Sequence, residues 1–136
     1  MEHKIIETYI ISENEIDVSK YPQFLFLRED RIVGHIHLDA AMKYALMAFM
    51  RKRNISDSIW KEIMLYLSTQ RQVGKAIEIM GIKNYTGKIV VLGEKEFQWE
   101  KKFKSIDINE EKLKFWGINS PLEILTKMAE FSIENA

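Results

Sequence analysis

Residues 54–82 read Asn-Ile-Ser-Asp-Ser-Ile-Trp-Lys-Glu-Ile-Met-Leu-Tyr-Leu-Ser-Thr-Gln-Arg-Gln-Val-Gly-Lys-Ala-Ile-Glu-Ile-Met-Gly-Ile, and this stretch decides the fold. The apolar positions Ile59, Trp60, Ile63, Met64 and Leu67 recur at helical spacing, as do Val73, Ala76, Ile77 and Met80, which predicts two amphipathic helices. Ser56 or Asp57 is expected to cap the first. Thr69 with Gln72 three residues on reads as a capping box for the second, which leaves only Ser68 and Thr69 to turn the chain. Gly81 is expected to end the second helix in the left-handed conformation, with Ile82 reaching back to Ile77. The expected unit is an antiparallel helical hairpin.

Upstream, Lys4 to Ile11 is rich in β-branched and aromatic residues and reads as a strand, and Ser12 to Tyr21 as a loop or short helix. Phe24, Leu25, Phe26 and Leu27 form a run of strand length, apolar enough to be buried on both faces. A helix is expected from about Leu38 to Arg51, apolar nearly all round and suited to the middle of the domain. It ends in Arg51, Lys52 and Arg53, which the helix macrodipole favours at a C-terminus.

Downstream, Lys88 to Leu92 reads as a central strand. Phe97, Trp99 and Phe103 alternate with Gln98, Glu100, Lys102 and Lys104, the pattern of an edge strand or, less simply, of a stacking platform for bases. Asn109 is expected to cap a short helix that closes on Gly117, with Ile118 packing on Leu113. Ser120, Pro121 and Glu123 start the last helix. Its apolar residues fall in two stripes: Leu122, Leu125, Ala129 and Ile133 in one, Ile124, Met128 and Phe131 in the other. One stripe serves a partner, or both are core. The whole chain, 1–136, is expected to be one α+β domain, with about five helices on a small mixed or antiparallel sheet.

Acidic and basic residues number 20 each, so no net field draws in nucleic acid, and any such binding needs a local basic patch. Absence of cysteine excludes disulfides, thiolate catalysis and cysteine-bound zinc, and fits a reducing compartment. With no apolar run of membrane-spanning length and no signal peptide, a cytoplasmic, soluble protein is expected.

His35, His37 and Asp39 form a His-x-His-x-Asp pattern. In an extended segment alternate residues share a face, so the three would be the ligands of a small metal-dependent enzyme; the alternative is a helix N-terminal carboxylate beside packed histidines. No phosphate loop or nucleophile elbow is present, and the acidic pairs lie in polar segments. The second helix of the hairpin is more informative. Arg71 and Lys75 make a like-charge pair four residues apart, costing a few tenths of a kcal/mol unless an anion answers it. Gly74 sits between them at a cost of about 1 kcal/mol relative to alanine, which points to a close neighbour or a ligand.

Asn54-Ile55-Ser56, Glu62, Leu65-Tyr66-Leu67-Ser68, Arg71-Gln72-Val73, Ala76-Ile77 and Gly81-Ile82 resemble the signature of the Cgi-type regulatory subunit of the KEOPS complex, the PRPK-binding protein family. Gly34 and His37-Leu38 with Ala41 and Ala45, and Gly117-Ile118, agree with it, and the likeness is closest to archaeal members. The resemblance implies a non-catalytic subunit without a cofactor, metal or small-molecule substrate. It would bind the small atypical kinase/ATPase of the complex and support transfer of a threonylcarbamoyl group to tRNA adenosine. It would also hold the 3′ CCA end of tRNA, and no membrane is implied. On this reading the phosphate contacts are Arg71 and Lys75, then Lys43, Arg51, Lys52 and Arg53. Ile124, Met128 and Phe131 face the kinase, while Gly74, Gly81 and Gly117 are structural.

Overall fold

The structure is a computed structural model and describes residues 7–11, 18–93 and 105–135. Three five-residue strands form an antiparallel sheet in the order β1 (Glu7–Ile11), β3 (Ile89–Gly93), β2 (Phe24–Arg28). Val91 of the central strand faces Tyr9 on one side and Phe26 on the other. Alternate residues point to opposite faces. Leu25, Leu27, Val90 and Leu92 therefore join the helices in the main core, while Phe24, Phe26, Ile89 and Val91 pack with Tyr21, Ile82 and Tyr85. Burial on both faces is why β2 and β3 are apolar nearly throughout rather than alternating. The series Phe97, Trp99 and Phe103 lies outside the described residues.

The helices are α1 (Gly34–Met50), α2 (Ile59–Ser68), α3 (Val73–Met80), α4 (Glu110–Trp116) and α5 (Leu122–Glu134). α1 turns Leu38, Ala41, Ala45 and Ala48 inward. Three alanines at spacings of three and four let α2 approach closely, and α2 in turn packs on α3. The hairpin α2–α3 exists, as do the α+β class and the number of helices.

Several helix ends differ from the sequence reading. α1 begins four residues before Leu38, because its first turn is closed by a histidine: the Val33 N–H donates to His37 Nδ1 at 3.0 Å. α2 is capped by Ser58, not Ser56 or Asp57, with Lys61 N donating to Ser58 Oγ at 3.5 Å. Thr69 is the left-handed C-cap of α2 (φ 52°), its hydroxyl donating to the Ser68 carbonyl, so the capping box with Gln72 does not form. Gln72 itself is the N-cap of α3, and the turn spans four residues.

Gly81 is extended, not left-handed (φ −77°, ψ 166°). It is required for room instead: a Cβ there would lie 2.6 Å from the Ile77 carbonyl oxygen. Gly117 does take the left-handed form (φ 67°), and Ile118 N donates to Leu113 O at 3.0 Å, the six-to-one bond of a Schellman ending. Asn109 Oδ1 caps α4 by accepting from Lys112 N at 3.0 Å. At the start of α5, Glu123 accepts from Ser120 N at 2.8 Å, the reciprocal half of a capping box.

Candidate nucleic-acid and partner surfaces

The buried charged and imidazole side chains of the helical layer have partners. Glu62 is fully buried in the first turn of α2. Its carboxylate accepts from Ile55 N at 2.9 Å and Ser56 N at 2.8 Å, and Ser56 Oγ lies 2.7 Å away. This clasp folds the segment between α1 and α2, tying Ile55 and Ser56 to the first turn of α2. Lys112 is buried against Glu29, with Nζ 3.0 Å from Oε1 and 2.5 Å from the Asp107 carbonyl. A buried ion pair of this kind holds α4 to the end of β2, since either charge alone would be stranded without water.

His37 is fully buried, and both ring nitrogens are engaged: Nδ1 accepts from Val33 N, and Nε2 donates to Leu67 O at 2.9 Å. Burial pushes its pKa down to about 4; the Leu67 carbonyl opposes the shift and Lys112 adds to it. The reading of His35, His37 and Asp39 as metal ligands is overturned. These residues lie in α1 rather than in a strand, so residues two apart diverge by about 200°. His35 Nε2 accepts from Ile106 N at 3.3 Å, and Asp39, one turn on from His35, is exposed, while His37 points into the core. No group of three metal-ligating side chains converges among the described residues.

The six cations expected to contact nucleic acid are all exposed but do not form one patch. The bond from His37 to Leu67 puts the start of α1 beside the end of α2, and the Glu62 clasp puts the segment after α1 beside the start of α2. Arg71 and Lys75 follow the end of α2; Arg51, Lys52 and Arg53 precede its start. The ten residues of α2 separate the groups by about 15 Å, with Lys43 midway along α1. None of the six is in an ion pair with a described residue, and Glu78 does not neutralise Lys75. Gly74 is exposed, and a Cβ there would meet nothing within 4 Å, so no neighbouring helix accounts for it.

In α5 the two apolar stripes lie about half a turn apart and only one is core. Ile124, Met128 and Phe131, expected to face a partner, are buried at 0, 0 and 4% exposure and pack in the main cluster. The opposite stripe is exposed at its two ends, with Leu122 67% and Ile133 76% exposed, while Leu125 between them is partly buried against the main cluster. Periodicity locates both stripes without revealing which one α1 and α2 cover.

Where α1 and α5 end, Tyr44, Met47, Ala48, Arg51, Arg53, Tyr66, Ser132 and Asn135 enclose a half-open cavity of about 140 Å³. Tyr44 and Tyr66 stack at 5.4 Å, nearly parallel. Burial, then the Glu62 carboxylate, push the Tyr66 hydroxyl up, while a hydrogen bond with Ser132 pulls it down. Between the arginines, Lys52 is left-handed (φ 57°), and Arg53 N donates to Ala48 O at 2.8 Å. That conformation costs a non-glycine residue about 1 kcal/mol. It reverses the chain so that Arg51 and Arg53 both line one cavity. The arginines are legible in the sequence through their charge, whereas the meeting of Tyr44, Tyr66, Ser132 and Asn135 depends on how three helices pack.

No helix among the described residues is long and apolar enough to cross a membrane. No curated protein matches the chain. A family model described as kinase binding protein CGI-121 matches residues 3–129. That span contains the Glu62 clasp, the buried His37 and the whole α2–α3 hairpin, and it covers nearly all of the sequence. The chain belongs to the CGI-121 family of kinase-binding proteins.

Proposed function

We propose that this protein is a non-catalytic subunit of the KEOPS complex that makes threonylcarbamoyladenosine in tRNA, docking on the small atypical kinase/ATPase and binding the 3′ CCA end of tRNA. The observation that carries this reading is the family match over residues 3–129, whose description names a kinase as partner. The exposed residues Leu122 and Ile133 of α5 are assigned to the docking face. Ile124, Met128 and Phe131 serve it from inside, by seating the helix.

The tRNA part draws support from the exposed cations without carboxylate partners, because phosphates supply the missing counter-charge. Arg71 and Lys75 are assigned as the first contacts. Lys43 and the run Arg51, Lys52 and Arg53 continue along the helical layer. The setting is cytoplasmic, where charged tRNA and ATP are both at hand.

A tagged chain captured from a cell lysate tests the whole reading when scored for the kinase and for tRNA together. Recovery of both is expected. Recovery of the kinase alone would favour a pure protein-interaction module, which the charge balance of the chain also suits. Recovery of neither would contradict both parts.

A further inference from the structure

α4 differs from the other helices in what anchors it. Its fully buried side chain is not apolar but Lys112, whereas Phe115 is 44% exposed and Leu113 and Trp116 reach the main cluster only in part. The buried apolar residues Ile106 and Ile118 flank the helix rather than belong to it. Lys112 Nζ lies 3.0 Å from Glu29 Oε1, and Glu29 Oε2 accepts from Asp107 N at 3.3 Å. One carboxylate thus catches both the helix and the stretch that leads into it. A buried ion pair stabilises less than apolar groups of the same volume would, and it fails when either charge is removed. An element held chiefly in this way opens at a lower free energy than the core.

The contacts of α4 give that opening a consequence. Trp116 Nε1 donates to Arg31 O at 2.9 Å, and the Arg31 guanidinium lies over the Phe115 ring at 4.3 Å. Arg31 in turn donates from Nη1 to Ile79 O at 2.8 Å, at the C-terminal end of α3. Trp116 also meets the His37 ring edge to face at 5.4 Å, and His37 holds Leu67 O at the end of α2. Arg31 therefore braces the last turn of α3, and His37 braces the end of the helix that leads into it. Both braces rest against α4.

We infer that α4 is a latch on α3: docked, with Glu29 and Lys112 paired, it fixes Arg31 and His37 and so holds α3 in place, and undocked it leaves α3 loose. The two ends of this coupling are joined by packed, hydrogen-bonded side chains around one element with two positions. For its effect on a ligand the latch rests on the tRNA reading, because α3 carries Lys75 and follows Arg71. The latch itself does not depend on that reading.

Amide hydrogen exchange of the full chain at pH 7, followed by NMR, tests it. Glu29→Gln keeps the shape and removes the charge, which leaves Lys112 buried and uncompensated. Protection of α4, and of Ile77 and Gly81 in and beside α3, should fall by about tenfold or more, with Ile63 and Leu65 of α2 unchanged. The double variant Glu29→Leu/Lys112→Met replaces the pair with apolar groups and should restore protection at both places. Loss confined to α4, equal loss throughout α1 and α2, or a double variant no better protected than Glu29→Gln would each overturn the inference. Labelled tRNA separates the latch from the reading it serves. Weaker binding by Glu29→Gln, recovered in the double variant, supports the coupling to recognition, and unchanged binding with α3 loosened overturns that coupling. No binding by the parent would contradict the tRNA reading while the exchange result still decides the latch.

Discussion

Inside the helical layer, Glu62, His37 and the pair Lys112 and Glu29 all have partners within hydrogen-bond distance. Outside it, Arg51, Arg53, Arg71 and Lys75 have no carboxylate within reach among the described residues. The difference separates stability from function. A buried charge that is paired can be lost only at high cost, whereas an exposed charge is nearly free for stability and available to a ligand. Glu62 and His37, both inside the stretch that the family model matches, therefore serve the fold, and the recognition surface we propose lies among the cations and at the exposed positions of α5.

The comparison breaks most visibly at Glu62. Glu62→Leu keeps bulk but strands the N–H groups of Ile55 and Ser56, and should cost roughly 4 kcal/mol. Urea denaturation measures this, and a cost below about 1 kcal/mol would mean that the clasp is not what orders the segment after α1.

His37 gives the next largest effect. Its folded pKa, about 4, lies below the unfolded value of 6.5, so the unfolded chain binds the extra proton between these limits. Stability from this group is present above pH 6.5 and is lost as pH falls toward 4. At 1.36 kcal/mol per unit that is on the order of 3 kcal/mol. The difference between parent and His37→Gln, followed from pH 7 to pH 4, isolates the contribution from carboxylates that titrate in both. A parallel course for the two proteins would show that His37 is not held neutral.

Gly74→Ala tests the outside. With nothing near its Cβ position, alanine should stabilise α3 by about 1 kcal/mol, seen as a raised Tm. Destabilisation would reveal a neighbour that the fold does not contain. Smallest of all, Arg71→Ala should leave stability within about 0.5 kcal/mol of the parent.

Much of this was legible in the sequence. The hairpin, the central strand, the left-handed Gly117 and the cap Asn109 rest on local chemistry, and local chemistry is written in consecutive residues. Where the reading failed, the deciding partner was distant or unconventional. α1 starts early because a histidine side chain does a capping residue's work. Thr69 adopts a glycine-like conformation to finish α2, and Gly81 is needed for clearance rather than for its φ. In α5 the two stripes have equal apolar character. Only the packing of α1 and α2 decides that Ile124, Met128 and Phe131 go inside while Leu122 and Ile133 stay out. The cavity was invisible for the same reason: Tyr44, Tyr66 and Asn135 are far apart in the chain.

The most direct test of the central claim is binding of labelled tRNA, intact or trimmed of its CCA end, to the parent and to Arg71→Ala/Lys75→Ala at several salt concentrations. The account predicts clear loss on trimming. It also predicts weaker binding by the variant, with the salt dependence flattened by about one unit of slope for each phosphate contact removed. Equal binding of intact and trimmed tRNA, with parent and variant indistinguishable at every salt concentration, would contradict it.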